Sequence, residues 1–395
     1  MGRPWDIPPD WPPPPPEALA VSERLVDALR AEMAEAGGDI PFSRFMERAL
    51  YAPGLGYYSA GSRKFGAEGD FVTAPEVSDL FSLCLARTVA DLLDALDGGD
   101  VIELGAGSGR MAAVLLRALE RAGRLPARYR ILEPSAALCE RQRQALALEV
   151  PDLLARVEWM AGPPDEPCEA AVVGNEVLDA LPVECLRWRD GGIEQAGVGW
   201  DGEGFALSWR PAQGDWVATV AAIAREQGWP EGYRTEWCAM LPAWLRTIAA
   251  PVARGAFLFI DYGHPRREYF HPQRSGGTLM CHYRHRAHPD PLLLPGLQDI
   301  TAHVDFTALA EAGEAAGLAP AACVTQAQLL MDAGIDTCFA EAQTGDPVQD
   351  LALAQQVKTL MLPGEMGERF QAMLLLRGEL PLPRGFRSGD LRWRL

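Results

Sequence analysis

Lysine is almost missing from this chain: Lys64 and Lys358 are the only two in 395 residues, and arginine supplies nearly all of the positive charge. We read that bias as genomic. Basic residues are also outnumbered, 36 against 54 acidic ones, for a formal net charge of -18. Non-specific affinity for nucleic acid comes mainly from Lys and Arg on phosphates, so a phosphate-backbone binder is not expected. A locally basic substrate or a protein partner stays open. No apolar run approaches the roughly 18 to 20 residues of a membrane helix. The start, "MGRPWDIPPDWPPPPPEALA", has neither an apolar signal core nor an Arg-rich amphipathic pattern, and a cytoplasmic protein is expected. No C-x-x-C pair occurs among the eight cysteines, which suits buried thiols in a reducing compartment better than a disulfide framework.

About half of the residues are hydrophobic, enough for one large domain with an elaboration or for two. Residues 1–16 are proline-dominated and predict an extended, loosely docked arm. "SERLVDALRAEMAEAGGDIPFSRFMERAL" predicts two amphipathic helices parted at Gly37-Gly38, with Ser22 as an N-cap. An irregular Gly- and aromatic-rich stretch leads to a helix from about Ser78 to Leu96. Strands and helices then alternate: "DVIELG", "RMAAVLLRALERAG", "YRILEP", "SAALCERQRQALALE", "VEWMAG", "AAVVGNEVLD". Strands separated by helices of that length imply a parallel sheet covered on both faces.

From 183 to 215 short alternating segments broken by glycine predict antiparallel hairpins inserted between strands of that sheet. "GAFLFIDYG" reads as another buried strand, 264–303 as a Pro- and His-rich loop, and "FQAMLLLRG" as a last strand. "DLALAQQVKTLMLPGEMGERF" predicts a core-facing helix.

"VIELGAGSGR" packs Gly105, Gly107 and Gly109 into five residues directly after an apolar run. Glycines there let the backbone turn tightly and admit a ligand, beside free N–H groups of the following helix. The spacing is E-x-G-x-G-x-G, one residue shorter than the G-x-G-x-x-G of dinucleotide enzymes. That shorter pattern is the one found in S-adenosylmethionine (SAM) methyltransferases. SAM brings an ammonium and a sulfonium but no phosphate, which gives the carboxylate of Glu103 a purpose. Glu133 ends the next strand, where nucleoside-binding sheets place an acid for the ribose hydroxyls.

Five segments in order, "GYYSAGSRKFGAEGDFVTAPEVSDLF", "ELGAGSGR", "GNEVLDALPV", "FIDYGH" and "GTLMCHYRHRAHPDPLLLPGLQDITAHVDF", resemble the MidA family of SAM-dependent methyltransferases over nearly the whole chain. The resemblance implies an α/β fold, a Rossmann-like seven-stranded class I methyltransferase sheet with helices on both faces, an N-terminal helical extension and a β-hairpin/helical insertion. It divides the chain into a Pro-rich arm (1–16), a helical region with a cofactor-covering loop (17–98), a SAM-binding Rossmann core (99–182), an inserted hairpin and helical subdomain (183–253) and the rest of the core (254–395). The mitochondrial branch of the family comprises arginine methyltransferases that support respiratory complex assembly. A protein arginine methyltransferase is therefore expected, with SAM as cofactor and S-adenosylhomocysteine as product. The alternatives are a small-molecule methyltransferase and a SAM-binding assembly factor. Partners expected are a protein with an accessible arginine, no nucleic acid, no membrane, and a homodimer through the hairpin edge.

By segment, the resemblance gives Asp70, Thr73, Pro75 and Glu76 as cofactor contacts, with Glu103, Gly105, Ala106, Gly107, Gly109, Glu133 and Asn175. It gives Asn175, Glu176, Asp179 and His282 as catalytic residues. A guanidinium stays protonated in water, so paired carboxylates such as Glu176 and Asp179 would be needed to fix it and concentrate charge on one nitrogen. "CHYRHRAH" sets Cys281, His282, His285 and His288 near zinc-like spacing, but Arg284 and Arg286 would repel a cation and no metal is expected. His282, Tyr283, His285, Asp299, His303 and Asp305 either line a loop that closes over substrate or hold that loop in shape. Asp261 and Tyr262 either shape an acceptor pocket or serve the fold.

Overall fold

A computed structural model describes residues 4–60 and 72–395. The chain forms two compact units, each made of three stretches. The first holds Met1–Phe71, Asp179–Leu241 and Arg266–His303; the second holds Val72–Leu178, Pro242–Pro265 and Val304–Leu395.

The second unit is a largely parallel sheet flanked by helices. Its strands lie side by side in the order Ala319–Thr325, Phe370–Arg377, Val252–His264, Cys168–Asn175, Asp100–Leu104, Tyr129–Leu132 and Val157–Met160. The short strand Val304–Asp305 also pairs with Val252–His264. Pairing is parallel from Val252–His264 to Val157–Met160, and antiparallel on both sides of Phe370–Arg377. The central strands are continuous apolar runs because both faces are covered: Val101, Ala171, Val173, Leu258, Ile260 and Leu374 sit in one buried cluster, and the alternate residues Ile102, Val172, Phe257 and Phe259 are buried too. The register is tight enough to align functional residues. Glu103 lies opposite Ile131 on one side and Val173 on the other, and Asn175 lies opposite Ile260.

Helix starts in this unit carry the expected chemistry. The Ser78 hydroxyl accepts from Leu80 N–H at the head of Asp79–Ala95, and Ser135 accepts from Leu138 N–H at the head of Ala136–Glu149. Asp305 accepts from the N–H groups of Thr307 and Ala308, so its side chain caps Phe306–Ala315. The helix Pro347–Met361 turns one face to the core as expected: Leu360 is buried, and Leu353, Val357 and Met361 pack half-buried against the same cluster. Its first turns stay open, with Val348 77% and Leu351 62% exposed.

The first unit carries two antiparallel sheets. The expected hairpins come in the chain between the main-sheet strands Cys168–Asn175 and Val252–His264, and they form a five-stranded sheet of their own. Gly192–Trp200 pairs there with Glu184–Arg189, Phe205–Pro211 and Asp39–Pro41, and Arg234–Trp237 closes the other side. The expected loop at 264–303 also contains order: Met280–Tyr283 pairs with Arg286–His288 and with Asp299–Thr301. Arg284 and His285 make that hairpin's turn at φ +47° and +62°. Both residues adopt the left-handed conformation that two-residue hairpin turns require.

Two further expectations change here. Ser22 is not an N-cap but lies inside the helix Pro16–Glu35, buried, accepting from Trp5 Nε1–H at 3.0 Å and donating to the Pro295 carbonyl at 2.7 Å. The proline arm is docked from Pro4 onward. Leu294 N–H donates to the Pro4 carbonyl, Arg286 to that of Asp10 and the Tyr283 hydroxyl to that of Pro12, while Trp11 packs on the rings of Tyr283 and His288. A run of prolines offers carbonyls without N–H groups, so its ordering depends on donors from elsewhere in the chain.

Candidate cofactor and active site

The glycine turn follows the strand Asp100–Leu104 directly. Gly105, Gly107 and Gly109 all have positive φ, at +62°, +54° and +87°. A Cβ at Gly105 would come within 3.0 Å of Val177 Cγ1, and one at Gly109 within 3.4 Å of Gln142 Cα. Positive φ is what asks for glycine at all three positions, and Gly105 is further crowded by the Val177 side chain.

Glu103 sits in the sheet just before the turn, essentially without exposure. One carboxylate oxygen, Oε2, accepts from the Tyr129 hydroxyl at 2.6 Å. The other, Oε1, is buried without a hydrogen-bond partner among the described residues. Burial raises the Glu103 carboxyl to about 7, against the opposing pull of the Tyr129 hydrogen bond and with a further push from Glu133. An acceptor of this kind is costly unless something donates to it. Asn175, at the end of Cys168–Asn175, presents a second one: its Oδ1 is buried with no partner among the described residues. Two such oxygens at neighbouring strands suit a ligand rich in N–H donors or positive charge.

Glu133 lies just past Tyr129–Leu132, nearly buried. Its Oε1 accepts from Ser135 N–H at 2.9 Å and its Oε2 from Gln142 Nε2 at 3.3 Å. Gln142 is one residue that sequence reasoning missed. Nothing in its local spacing marks it, because its partners are Gly107, Glu133 and Trp159, on three other segments.

Thr73, Pro75 and Glu76 belong to a short segment, with Ala74–Val77 helical. That segment is tied down at two points. Ala74 N–H donates to Glu176 Oε1 at 3.1 Å, and the Ser108 hydroxyl of the glycine turn donates to Glu76 Oε1. Asp70 lies outside the described residues.

Glu176 follows Asn175 at φ +52°, a backbone conformation that costs a non-glycine residue energy and is concentrated at functional sites. Three contacts hold it there. Its N–H donates to the Ile260 carbonyl at 2.8 Å, and its Oε1 also accepts from Asn175 Nδ2 at 3.0 Å. Asp261, with no exposure, accepts from Leu178 N–H and Tyr262 N–H, both at 2.9 Å, and so clamps the turn from the adjacent strand.

Asp179 and His282 lie in the first unit, apart in unit membership from Asn175 and Glu176. The Asp179 carbonyl accepts from Ala302 N–H at 3.0 Å. His282 stands on Met280–Tyr283 opposite Asp299, and burial, then His288, lower its pKa below the ordinary value. Asp299 Oδ1 accepts from the Tyr58 hydroxyl at 2.9 Å and from Ile300 N–H at 3.1 Å. His303 N–H donates to Thr278 Oγ1, which itself donates to the fully buried Glu236. Cys281 and His288 face each other across the hairpin, yet among the described residues no group of three or more His, Cys, Asp or Glu side chains could hold a metal ion.

Comparisons with known proteins identify the family. Residues 84–324 match the family model described as "Putative S-adenosyl-L-methionine-dependent methyltransferase". A crystal structure from Burkholderia thailandensis, bound to S-adenosyl-homocysteine, is 47% identical with a TM-score of 0.93, covering 98% of this chain and all of that one. Two curated proteins named "Protein arginine methyltransferase NDUFAF7, mitochondrial" are each 28% identical. The Danio rerio protein aligns over 86% of this chain and 84% of its own, and the Rattus norvegicus protein over 90% and 86%. These names overturn the expectation of a cytoplasmic protein, which rested on missing leader patterns, and a missing pattern does not determine a compartment. The α/β fold with its largely parallel sheet, the glycine turn and the matched family model together place the chain: it belongs to the MidA-like family of SAM-dependent methyltransferases.

Proposed function

We propose that the protein methylates arginine side chains of a protein substrate, using SAM bound in the second unit. The observation that carries this reading is Glu176: a carboxylate at the end of a central strand, held at an unfavourable φ by Asp261, Ile260 and Ala74. The curated relatives named protein arginine methyltransferases support both the protein substrate and the arginine. We read the sheet as the seven-stranded Rossmann-like sheet of class I methyltransferases, with Val304–Asp305 added to it; the strand order supports this.

In this reading the backbone at Gly105, Ala106, Gly107 and Gly109 leaves room for the aminoacyl end of the cofactor, and Glu103 and Asn175 supply acceptors for its ammonium. Glu133 receives the ribose hydroxyls. Thr73, Pro75 and Glu76 cover the site, with the Glu76–Ser108 bond fixing the cover to the turn. When bound, SAM supplies a methyl group on a sulfonium, open to in-line attack with a neutral leaving group. The protein's task is alignment and exclusion of water. Glu176 would hold the guanidinium fork and, by drawing positive charge towards its own side, leave the attacking nitrogen richer in electrons.

Glu176→Gln tests the reading. The variant is expected to bind S-adenosylhomocysteine as the wild type does, by calorimetry, and to lose methyl-arginine formation in labelled cell extract. Undiminished methyl-arginine would refute the role of Glu176. Label recovered only in small molecules would refute the protein substrate.

A further inference from the structure

Gln142 lies on the helix Ala136–Glu149, fully buried, in a position where a leucine or methionine would fill the same space. Its carboxamide instead makes three hydrogen bonds. Nε2 donates to the Gly107 carbonyl at 3.1 Å and to Glu133 Oε2 at 3.3 Å, and Oε1 accepts from Trp159 Nε1–H at 3.0 Å. Chemistry fixes which way the amide faces. An indole N–H can only donate and a backbone carbonyl can only accept, so the oxygen must face Trp159 and the NH2 must face Gly107 and Glu133. The indole is itself held in place, with the Arg143 guanidinium 4.5 Å over its ring.

This one side chain therefore joins the glycine turn, the acid Glu133 and the strand Val157–Met160. Gly109 lies directly against it, a Cβ there falling 3.4 Å from Gln142 Cα. Ser135 N–H holds the other Glu133 oxygen. With one N–H on each oxygen, the plane of the carboxylate is set before any ligand arrives.

We propose that Gln142 is a positioning residue that fixes the Glu133 carboxylate for a vicinal ribose diol, and so determines preference for a ribonucleoside cofactor. The inference rests on the reading of Glu133 as the ribose acceptor. A residue that only filled the core would affect every ligand of the site alike, whereas this role is specific to ligands that carry the diol.

The test is calorimetric titration of wild type, Gln142→Met and Gln142→Glu with S-adenosylhomocysteine and with its 2′-deoxyribose analogue. Gln142→Met removes both donors at nearly constant volume. It is expected to weaken S-adenosylhomocysteine by ~tenfold, the scale of one charge-assisted hydrogen bond, and the 2′-deoxy analogue by less than about twofold. Gln142→Glu keeps the acceptor for Trp159 but turns a like charge on Glu133, and is expected to show the same discrimination, enlarged. Thermal melts without ligand identify any variant that fails to fold, and the other variant then decides. Equal weakening of both ligands, or of neither, overturns the proposal. Glu133→Gln is titrated alongside: full affinity for S-adenosylhomocysteine in that variant would refute the ribose role of Glu133 itself, separately from Gln142.

Discussion

Tyr129 donates its hydroxyl proton to Glu103 across two adjacent parallel strands at 2.6 Å, deep in the sheet. Both groups are buried, and the Tyr129 hydroxyl is pushed well above its ordinary pKa by burial and by the neighbouring Glu103 charge. The pair satisfies one oxygen of a carboxyl whose folded pKa, about 7, exceeds its ordinary value of 4.5.

That shift fixes a sign. Between pH 4.5 and 7 the unfolded chain releases the Glu103 proton and the native chain keeps it, so the stability present below 4.5 is lost as pH rises through 7, amounting to roughly 3 kcal/mol. Urea unfolding without ligand should show this loss between pH 5 and pH 8 in the wild type and not in Glu103→Gln. The same slope in both proteins would mean that Glu103 is not the group responsible.

Ligand affinity should move the opposite way. If Glu103 meets the cofactor's ammonium, the carboxylate form binds better, and S-adenosylhomocysteine affinity should rise from pH 6 to pH 8. Glu103→Gln should bind more weakly at pH 8 and show a flat profile.

Glu176 at φ +52° allows two substitutions to be compared directly. Both Glu176→Ala and Glu176→Gly lose the acceptor for Ala74 N–H and Asn175 Nδ2, but only glycine adopts that backbone without strain. Glycine should therefore be the more stable by about 1 kcal/mol in chemical unfolding. An alanine variant of equal or greater stability would show that the left-handed conformation is not imposed.

Removal of the Asp261 side chain takes the acceptor from two N–H groups, that of Leu178 buried and that of Tyr262 half-buried. Asp261→Ala should lose about 2 to 5 kcal/mol of stability, and Asp261→Asn, which keeps one acceptor oxygen, should lose about half as much. Denaturant titration of both variants measures the difference.

Trp11 ties the proline arm to the hairpin 280–288. Trp11→Ala should accelerate hydrogen exchange at Met280–Tyr283 and Arg286–His288 while leaving exchange in Cys168–Asn175 unchanged. Unaltered exchange in the hairpin would show that the arm rests on it without supporting it.

These residues also show what a sequence can and cannot convey. The strands around Glu103 and Asn175 are legible because burial on both faces writes them as unbroken apolar runs, and the glycine turn because positive φ at three alternate positions demands glycine. The hairpin at Met280–Tyr283 and Arg286–His288 is hidden. Its strands are three and four residues long, filled with His and Arg, and they gain stability from partners elsewhere in the chain. Gln142 differs from ordinary polar residues only in its partners on other segments, so no local period announces it. Pro347–Met361 carries helical spacing and does pack Leu353, Val357 and Leu360 on the core, but spacing does not say how far along a helix its face is covered, and Val348 and Leu351 stay exposed.

The chain changes unit five times, and this orders events during synthesis. Phe42, Phe45 and Leu50 share a core with Val183, Ala196 and Ile300, so they emerge long before their partners. At about 5 to 20 residues per second, translation from the end of the first stretch to His303 takes on the order of ten to fifty seconds. Through that interval Phe42, Phe45 and Leu50 have only the early part of their core, Leu25, Leu29 and Met33 among it, and the remainder arrives in steps, Val183 and Ala196 first and Ile300 last.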